Sequence, residues 1–258
     1  MGKKTKIDWC DSSWNPVTGC LHGCTYCYAD RMARRFAGKD GVITGHDHLY
    51  ILDDPIKRAD GTINPYPYGF DPTFHRYRLN DPELWKKPKN IFVCSMADLF
   101  GEWVPDLWIN SVLNTCRVAN WHRYLFLTKN PKRYPLLALR GLLPKGENFW
   151  YGSSTPRARD GAFWSQPQLT GDKEYYHTFL SIEPMLERFG RGSDHGTVAL
   201  TDWVIVGAET GNRKDRVKPE KEWIMDIVDE CRERGKPIFM KESLRELMGG
   251  DFRQEFPW

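Results

Sequence analysis

Gly19-Cys-Leu-His-Gly-Cys-Thr-Tyr-Cys-Tyr28 places Cys20, Cys24 and Cys27 at C-x3-C-x2-C spacing. Thiolates hold cubane iron–sulfur clusters, and four of them suit an electron carrier. Three on one short loop leave the fourth iron of a [4Fe-4S] cluster open to a small chelating ligand. The amino and carboxylate groups of S-adenosylmethionine supply such a ligand. Zinc is the alternative, because His22 lies between the first two cysteines and would complete a tetrahedral Cys3His set. Structural zinc sites usually combine two separated pairs, and no second C-x2-C or H-x3-H is present in the chain. His22 is therefore read as a loop residue, solvent-facing or hydrogen-bonded.

Working outward, Ala29, Met32, Ala33 and Phe36 recur at helical spacing, with Arg31, Arg34 and Arg35 on other faces. An amphipathic helix is expected directly behind the cysteines. From Gly38 to Asn90 the chain is rich in Gly, Pro, Asp and Tyr without sustained periodicity. This reads as an irregular insertion with room for a short hairpin, and a loop that long usually has a function. Beyond it, Ile91–Ser95, Tyr124–Thr128, Phe149–Ser153, Thr178–Ile182, Trp203–Val206 and Pro237–Met240 are apolar or β-branched runs alternating with helical patterns. Near-continuous apolar strands joined by crossover helices imply parallel pairing. The expectation is an α/β protein with a partial or complete barrel, and a single domain over 1–258.

In such barrels the chemistry sits on loops after the carboxyl ends of the strands. Polar residues recur at those ends: Ser95, Met96 and Asp98; Thr128 and Lys129; Ser153 and Ser154; Glu183; Gly207 and Glu209; Lys241 and Glu242. Glu183 and Glu209 are expected at the mouth, where a carboxylate accepts hydrogen bonds from an amine, a ribose or a base; otherwise one caps a helix or pairs with Lys129 or Lys241. Lys241 is suited to a substrate carboxylate or phosphate, or to neutralising those glutamates. Cys94, Cys116 and Cys231 read as small core residues, with Cys94 placed where a thiol hydrogen donor would stand. Cys10 is given no role.

The chain has 258 residues, 28% charged and 40% hydrophobic, a net charge of +3 and seven cysteines. No apolar stretch approaches the ~20 residues of a membrane helix, and the basic start has no signal-peptide pattern. Reduced thiols in a cytoplasmic compartment follow from the odd, clustered cysteines. The charge is too small to announce nucleic acid, although Arg31–Arg35 and Arg213–Arg216 are local basic runs. Eleven tryptophans and eleven tyrosines are many for this length. Trp103, Trp121, Trp150, Tyr151, Trp164, Tyr66 and Tyr68 are read as loop residues. The stretch Tyr66 to Arg78 mixes five rings with two arginines, a composition that stacks on unpaired bases and suits a substrate lid or a structural flap.

The cysteine loop followed by a βα series resembles the radical S-adenosylmethionine superfamily over most of the chain. Trp14-Asn-Pro-Val-Thr-Gly-Cys20, Tyr68-Gly-Phe-Asp-Pro-Thr-Phe-His75, Ser95-Met-Ala-Asp-Leu-Phe100, Leu127-Thr-Lys129, Leu180-Ser-Ile-Glu-Pro184 and Trp203-Val-Ile-Val-Gly-Ala-Glu209 look like landmarks of a phage and prophage family of unknown function. Many members of that family have a longer first cysteine interval. The resemblance implies a partial (β/α)6-type barrel of parallel strands, an insertion after the cluster loop, and a [4Fe-4S] cluster on Cys20, Cys24 and Cys27. Tyr26, just before Cys27, is placed to contact the adenine or else to pack against the barrel, and the resemblance implies that Ser95, Met96 and Asp98 hold the methionine end, although the usual Gly-Gly-Glu is absent there. Ser153 and Ser154 would meet the ribose, with Thr128 and Lys129 beside them, and Val204 to Gly207, including Val206, would flank the adenine.

The activity so implied is reductive cleavage of S-adenosylmethionine to a 5′-deoxyadenosyl radical that abstracts hydrogen from a nucleobase or nucleotide. Isomerisation of an amino-acid-modified thymine in phage DNA is one form of it, with Glu209, Lys241 and Glu183 as catalytic candidates. The implied partners are S-adenosylmethionine, nucleic acid and an electron donor such as flavodoxin or ferredoxin, with no membrane, in the cytoplasm of a bacterial host if phage-encoded. A peptide or small-metabolite substrate is the competing enzyme reading. A zinc-stabilised binding module is the non-enzyme reading.

Overall fold

In a computed structural model of the chain, residues 5–37, 48–158, 176–189, 198 and 201–258 are described. Ten strands are present among them: β1 Ser12–Trp14, β2 Val17–Thr18, β3 Tyr50–Leu52, β4 Thr73–His75, β5 Asn90–Val93, β6 Arg123–Thr128, β7 Phe149–Ser154, β8 His177–Ile182, β9 Trp203–Val206 and β10 Ile238–Met240. The helices are α1 Tyr28–Ala37, α2 Asp81–Leu84, α3 Asp106–Val118, α4 Arg133–Leu139, α5 Lys221–Glu233 and α6 Arg245–Met248. Seven strands form one sheet in the order β1-β5-β6-β7-β8-β9-β10. This is the parallel α/β partial-barrel order expected from the sequence. All six expected strands are there. The seventh, β1, precedes the cysteine loop and was not expected, because Ser12-Ser13-Trp14 carries no apolar run.

The chain divides into two compact units. In the first, Cys10–Phe126, β1 pairs with β5 and β5 with β6, all parallel. The apolar face of α3 explains its formation: Trp108, Ile109, Val112, Leu113 and Cys116 recur at helical spacing and are buried, Asp106 sits in the first turn and Arg117 in the last. α1 forms as expected, but its buried face is Ala29, Ala33 and Ala37. Met32 and Phe36, expected inside, are exposed, and the Arg35 guanidinium lies over the Phe36 ring. The closely spaced alanines let the helix sit near its support, which turns the larger side chains outward.

The insertion is more regular than its composition suggested. β4 is the middle strand of a second sheet, β2-β4-β3, antiparallel to β2 and parallel to β3. A tight turn joins Lys57 to Ile63. Residues 38–47 of the insertion, and Trp164, lie outside the described residues. In the stretch from Tyr66 to Arg78, Phe74 is buried and stacks on Trp108, Tyr68 stacks on Tyr50 at 3.7 Å, and the Arg78 side chain donates to the Asn15 carbonyl.

His75 on β4 is fully buried, with Nε2 2.8 Å from Thr18 Oγ1. Burial, reinforced by the charge of Arg78, lowers its pKa from 6.5 to about 3. The unfolded chain takes up this proton near 6.5, so stability is full above that value and falls as pH drops towards 3. The expected slope in that window approaches ~1.4 kcal/mol per pH unit from this group. Urea midpoints measured between pH 7 and pH 4 check it, and a His75→Gln variant should show a shallower decline.

The second unit joins Lys6–Trp9 to Leu127–Trp258. Here β7, β8, β9 and β10 pair in parallel succession. Leu180, Ile182, Val204, Val206, Ile238 and Met240 share one core with Ile224, Ile227, Val228 and Cys231 of α5. By the two-residue period of a strand, Phe179, Trp203 and Phe239 face the other way, where Trp9 packs against Phe179 and Trp203 at centroid distances of 6.1 and 6.4 Å. Trp150 and Tyr151 lie within β7 rather than in a loop. No helix among the described residues is long and apolar enough to cross a membrane.

Candidate functional site

β1 delivers the chain to the cysteine loop, and the loop is fastened to the end of β5. Gly19 pairs with Ala97 in an isolated parallel bridge, its N–H donating to the Met96 carbonyl at 2.9 Å. The Cys20 N–H donates to the Phe70 carbonyl at 3.1 Å, and the Cys27 N–H to the Cys24 carbonyl at 3.1 Å. α1 starts at the next residue, so its free N-terminal N–H groups meet the last thiol: Asp30 N–H donates to Cys27 Sγ at 3.3 Å. Cys20, Cys24 and Cys27 are unpaired thiols of intermediate exposure. Tyr26, between the last two, is half-buried.

Burial pushes the Cys20 thiol up to about 12, with Asp98, Cys24 and Cys27 adding to it and the His22 N–H opposing. Cys27 is raised by burial too, against hydrogen bonds from the N–H groups of Asp30 and Ala29. Backbone N–H donors aimed at cysteine sulfur are among the features that tune iron–sulfur clusters. This donor set of three free thiols on one loop, two of them receiving N–H groups, fits a [4Fe-4S] cluster with one iron not held by the protein. Among the described residues no group of three or more His, Cys, Asp or Glu side chains is placed to hold a single metal ion.

The turn after β5 forms the wall beside this loop. Cys94 has φ +59, an uncommon value for a residue with a side chain, and Ala97 N–H closes the turn on its carbonyl at 3.0 Å. Asn15 Oδ1 accepts from Ser95 Oγ at 3.2 Å and Met96 N–H at 3.0 Å. Tyr28 Oη donates to the Ser95 carbonyl at 2.6 Å. Asp98 is buried; its Oδ2 lies 2.7 Å from His22 Nε2 and its Oδ1 accepts the Phe100 N–H at 3.0 Å. Asp98 therefore latches the cysteine loop to the turn through His22, which also meets Trp103 edge-on. Met96 is buried. The Cys94 thiol is buried as well, and burial pushes it up to about 12. Asn15, Tyr28 and the His22–Asp98 contact were not legible in the sequence, since each joins residues more than sixty positions apart.

In the second unit the expected residues separate onto two faces. Thr128 is buried and its Oγ1 accepts the Asn130 N–H at 2.9 Å. Lys129 Nζ donates to Ser154 Oγ at 2.8 Å. Ser153 points to the opposite face from Ser154, and its buried hydroxyl has no partner. Ser181, the register neighbour of Ser154, also carries a buried hydroxyl with no partner. Glu183 and Lys241 form an ion pair, one of the two arrangements anticipated for them. Val206 packs its side chain in the core with α5, leaving Gly207 on the other face. Glu209 is 5% exposed and takes the Arg213 guanidinium in a fork, Nε to Oε1 at 2.7 Å and Nη2 to Oε2 at 2.8 Å. Arg213 is a partner that the chain pattern did not indicate. Arg213 lies four residues on, outside any helix, so no periodicity pointed to it.

Fold and site together define a parallel α/β protein that carries a three-thiol loop after its first strand. The chain belongs to the family described as Protein of unknown function (DUF5131), matched over residues 4–246. No curated protein matches it. Among solved structures it is similar to a spore photoproduct lyase mutant, at 11% identity and a TM-score of 0.49, over 92% of this chain and 78% of that one. A spore photoproduct lyase complexed with dinucleoside spore photoproduct is similar at 12% identity and 0.47, over 93% and 79%. Likeness at this level transfers neither a residue nor a reaction.

Proposed function

We propose that the chain is a radical S-adenosylmethionine enzyme holding a [4Fe-4S] cluster on Cys20, Cys24 and Cys27 and acting on a nucleobase or nucleotide. The observation that carries this reading is the loop itself: three free thiols, two of them with backbone N–H donors, fastened by Gly19 and by His22–Asp98 to the turn after β5. Held there, the cluster would supply one-electron reduction of the sulfonium of S-adenosylmethionine, a chemistry that yields methionine and a 5′-deoxyadenosyl radical. His22 has Nε2 committed to Asp98, which favours the latch role over that of a fourth ligand.

The remaining residues divide the work. Tyr26 and the turn from Ser95 to Asp98, with Met96 supplying backbone, would receive the methionine and adenine groups of the cofactor. In the second unit Thr128, Lys129, Ser154, Gly207 and the backbones of Ser153 and Val206 are the candidates for the ribose and base of the cofactor. Glu183, Lys241 and Glu209 are those for the substrate. The half-buried rings Tyr50, Tyr66 and Tyr68 are the stacking surface for a base, which a duplex would have to extrude first. An isomerase of amino-acid-modified thymine in phage DNA is the finer form, supported by the sequence resemblance, and a flavodoxin or ferredoxin is the electron donor it calls for.

Anaerobically purified protein should contain about four iron and four labile sulfide per chain and, reduced with dithionite, should release 5′-deoxyadenosine. One zinc per chain without labile sulfide would overturn the enzyme reading. Affinity for single-stranded DNA should fall steeply between 50 and 200 mM salt, and no measurable binding would redirect the substrate to a peptide or small metabolite.

A further inference from the structure

Gly207 lies between Glu183 and Lys241 on the sheet. Register pairs Ile182 with Val206 and Val206 with Met240, so the next row reads Glu183, Gly207, Lys241 across β8, β9 and β10. The two charged side chains meet over the middle strand only because it has no side chain there. A Cβ on Gly207 would lie 2.9 Å from Lys241 Cδ and 3.2 Å from Glu183 Cγ. One pleat earlier on the same face, Ser181 is 1% exposed and its hydroxyl bonds to nothing. Its lateral neighbour, Ser154, takes the Lys129 ammonium. An unpartnered buried hydroxyl is uncommon in folded proteins and asks for an explanation. Here it stands beside a carboxylate and an ammonium whose side chains keep 26% and 19% of their exposure.

We propose that Glu183, Lys241 and Ser181 form a subsite for a zwitterionic amino-acid group, free or carried as an appendage on a larger substrate. The ammonium of the group goes to Glu183, its carboxylate to Lys241, and Ser181 Oγ gains its missing partner. A simple anion would strand the Glu183 carboxylate and a simple cation the Lys241 ammonium, whereas a zwitterion gives each charge a new partner when the pair opens. Both side chains are largely covered, so opening the pair is tolerated only by a ligand that returns an opposite charge to each of them. The proposal deepens the reading of the strand ends as the substrate side. It does not depend on the cluster, although the methionyl group of the cofactor is itself a zwitterion and must be distinguished.

The test is a ligand-observed NMR titration of the purified protein with L-alanine, propionate and ethylamine. L-Alanine should bind at least about tenfold more tightly than either half-charged probe, a difference of ~1.4 kcal/mol. Glu183→Gln and Lys241→Met should each erase that preference, and Ser181→Ala should weaken L-alanine alone. A double variant, Glu183→Lys with Lys241→Glu, keeps both charges and should keep the preference, which separates loss of the subsite from loss of the fold. Cys24→Ala protein should still bind L-alanine, so this subsite stands or falls apart from the cluster. Equal binding of the three probes, a preference that survives Glu183→Gln, or L-alanine binding lost in Cys24→Ala would each overturn the proposal.

Discussion

Cys24→Ala is expected to reduce 5′-deoxyadenosine release from dithionite-reduced protein by at least about a hundredfold, ~2.7 kcal/mol of barrier, and to lower the iron content in parallel. Cys24 is half-exposed and lies on the loop rather than in the core, so removing its sulfur should move the urea midpoint by no more than about 0.5 kcal/mol in stability. Cys116 provides the opposite case. It is fully buried on the apolar face of α3, and Cys116→Ala should cost about 1 kcal/mol of stability while leaving iron content and product yield unchanged. Chromatographic yield, iron analysis and urea unfolding on the two variants distinguish a ligand from a packing thiol. A wild-type-like yield from Cys24→Ala would remove that residue from the ligand set.

Gly19→Ala should have the largest effect of any single change in the cysteine loop. Gly19 sits at φ +86, and a Cβ there would lie 2.2 Å from the Asp71 carbonyl oxygen and 2.7 Å from that of Phe70. Backbone strain of this kind costs about 1–3 kcal/mol, and the collision adds to it because the obstructing atoms are backbone and cannot rotate away. The same residue donates to Met96 and precedes Cys20, whose N–H bonds to Phe70. The variant should therefore lose stability and, in whatever fraction folds, show increased protease cleavage around residues 19–27 and reduced iron. Gly23→Ala is the control: it also has positive φ but nothing within 4 Å of a Cβ, so it should carry the conformational cost alone.

The parts of the fold that could be read from the chain are those in which one face or one run decides the structure. β6, with Tyr124, Leu125 and Phe126 consecutive and buried, and β9, with four buried residues in a row, are continuous apolar runs, and their burial on both sides shows directly in composition. β1 was invisible because three residues, two of them serine, carry no period. Its existence depends on β5 offering a free edge. The apolar face of α1 was half right: Ala29 and Ala33 are buried as expected, whereas Met32 and Phe36 are exposed and Ala37 takes their place, because alanine is what a closely packed helix needs.

The site shows the same division. The three cysteines are consecutive enough to be recognised by spacing, and Glu183 and Lys241 were recognisable by their place after a strand. Ser181 is a different case: its significance lies in lacking a partner, which no linear pattern encodes. Ser153 and Ser154 look equivalent in the chain, and only the pleat distinguishes them.

Trp9 belongs to the second unit although Cys10, the next residue, belongs to the first, and its ring packs against both Phe179 and Trp203. During synthesis this indole emerges long before either neighbour exists, so the aromatic layer can close only late, around a segment made some 170 residues earlier. A fragment begun at Leu127 would have a hole where the indole belongs, and supplying a short peptide spanning residues 6–9 in trans should restore part of its cooperativity.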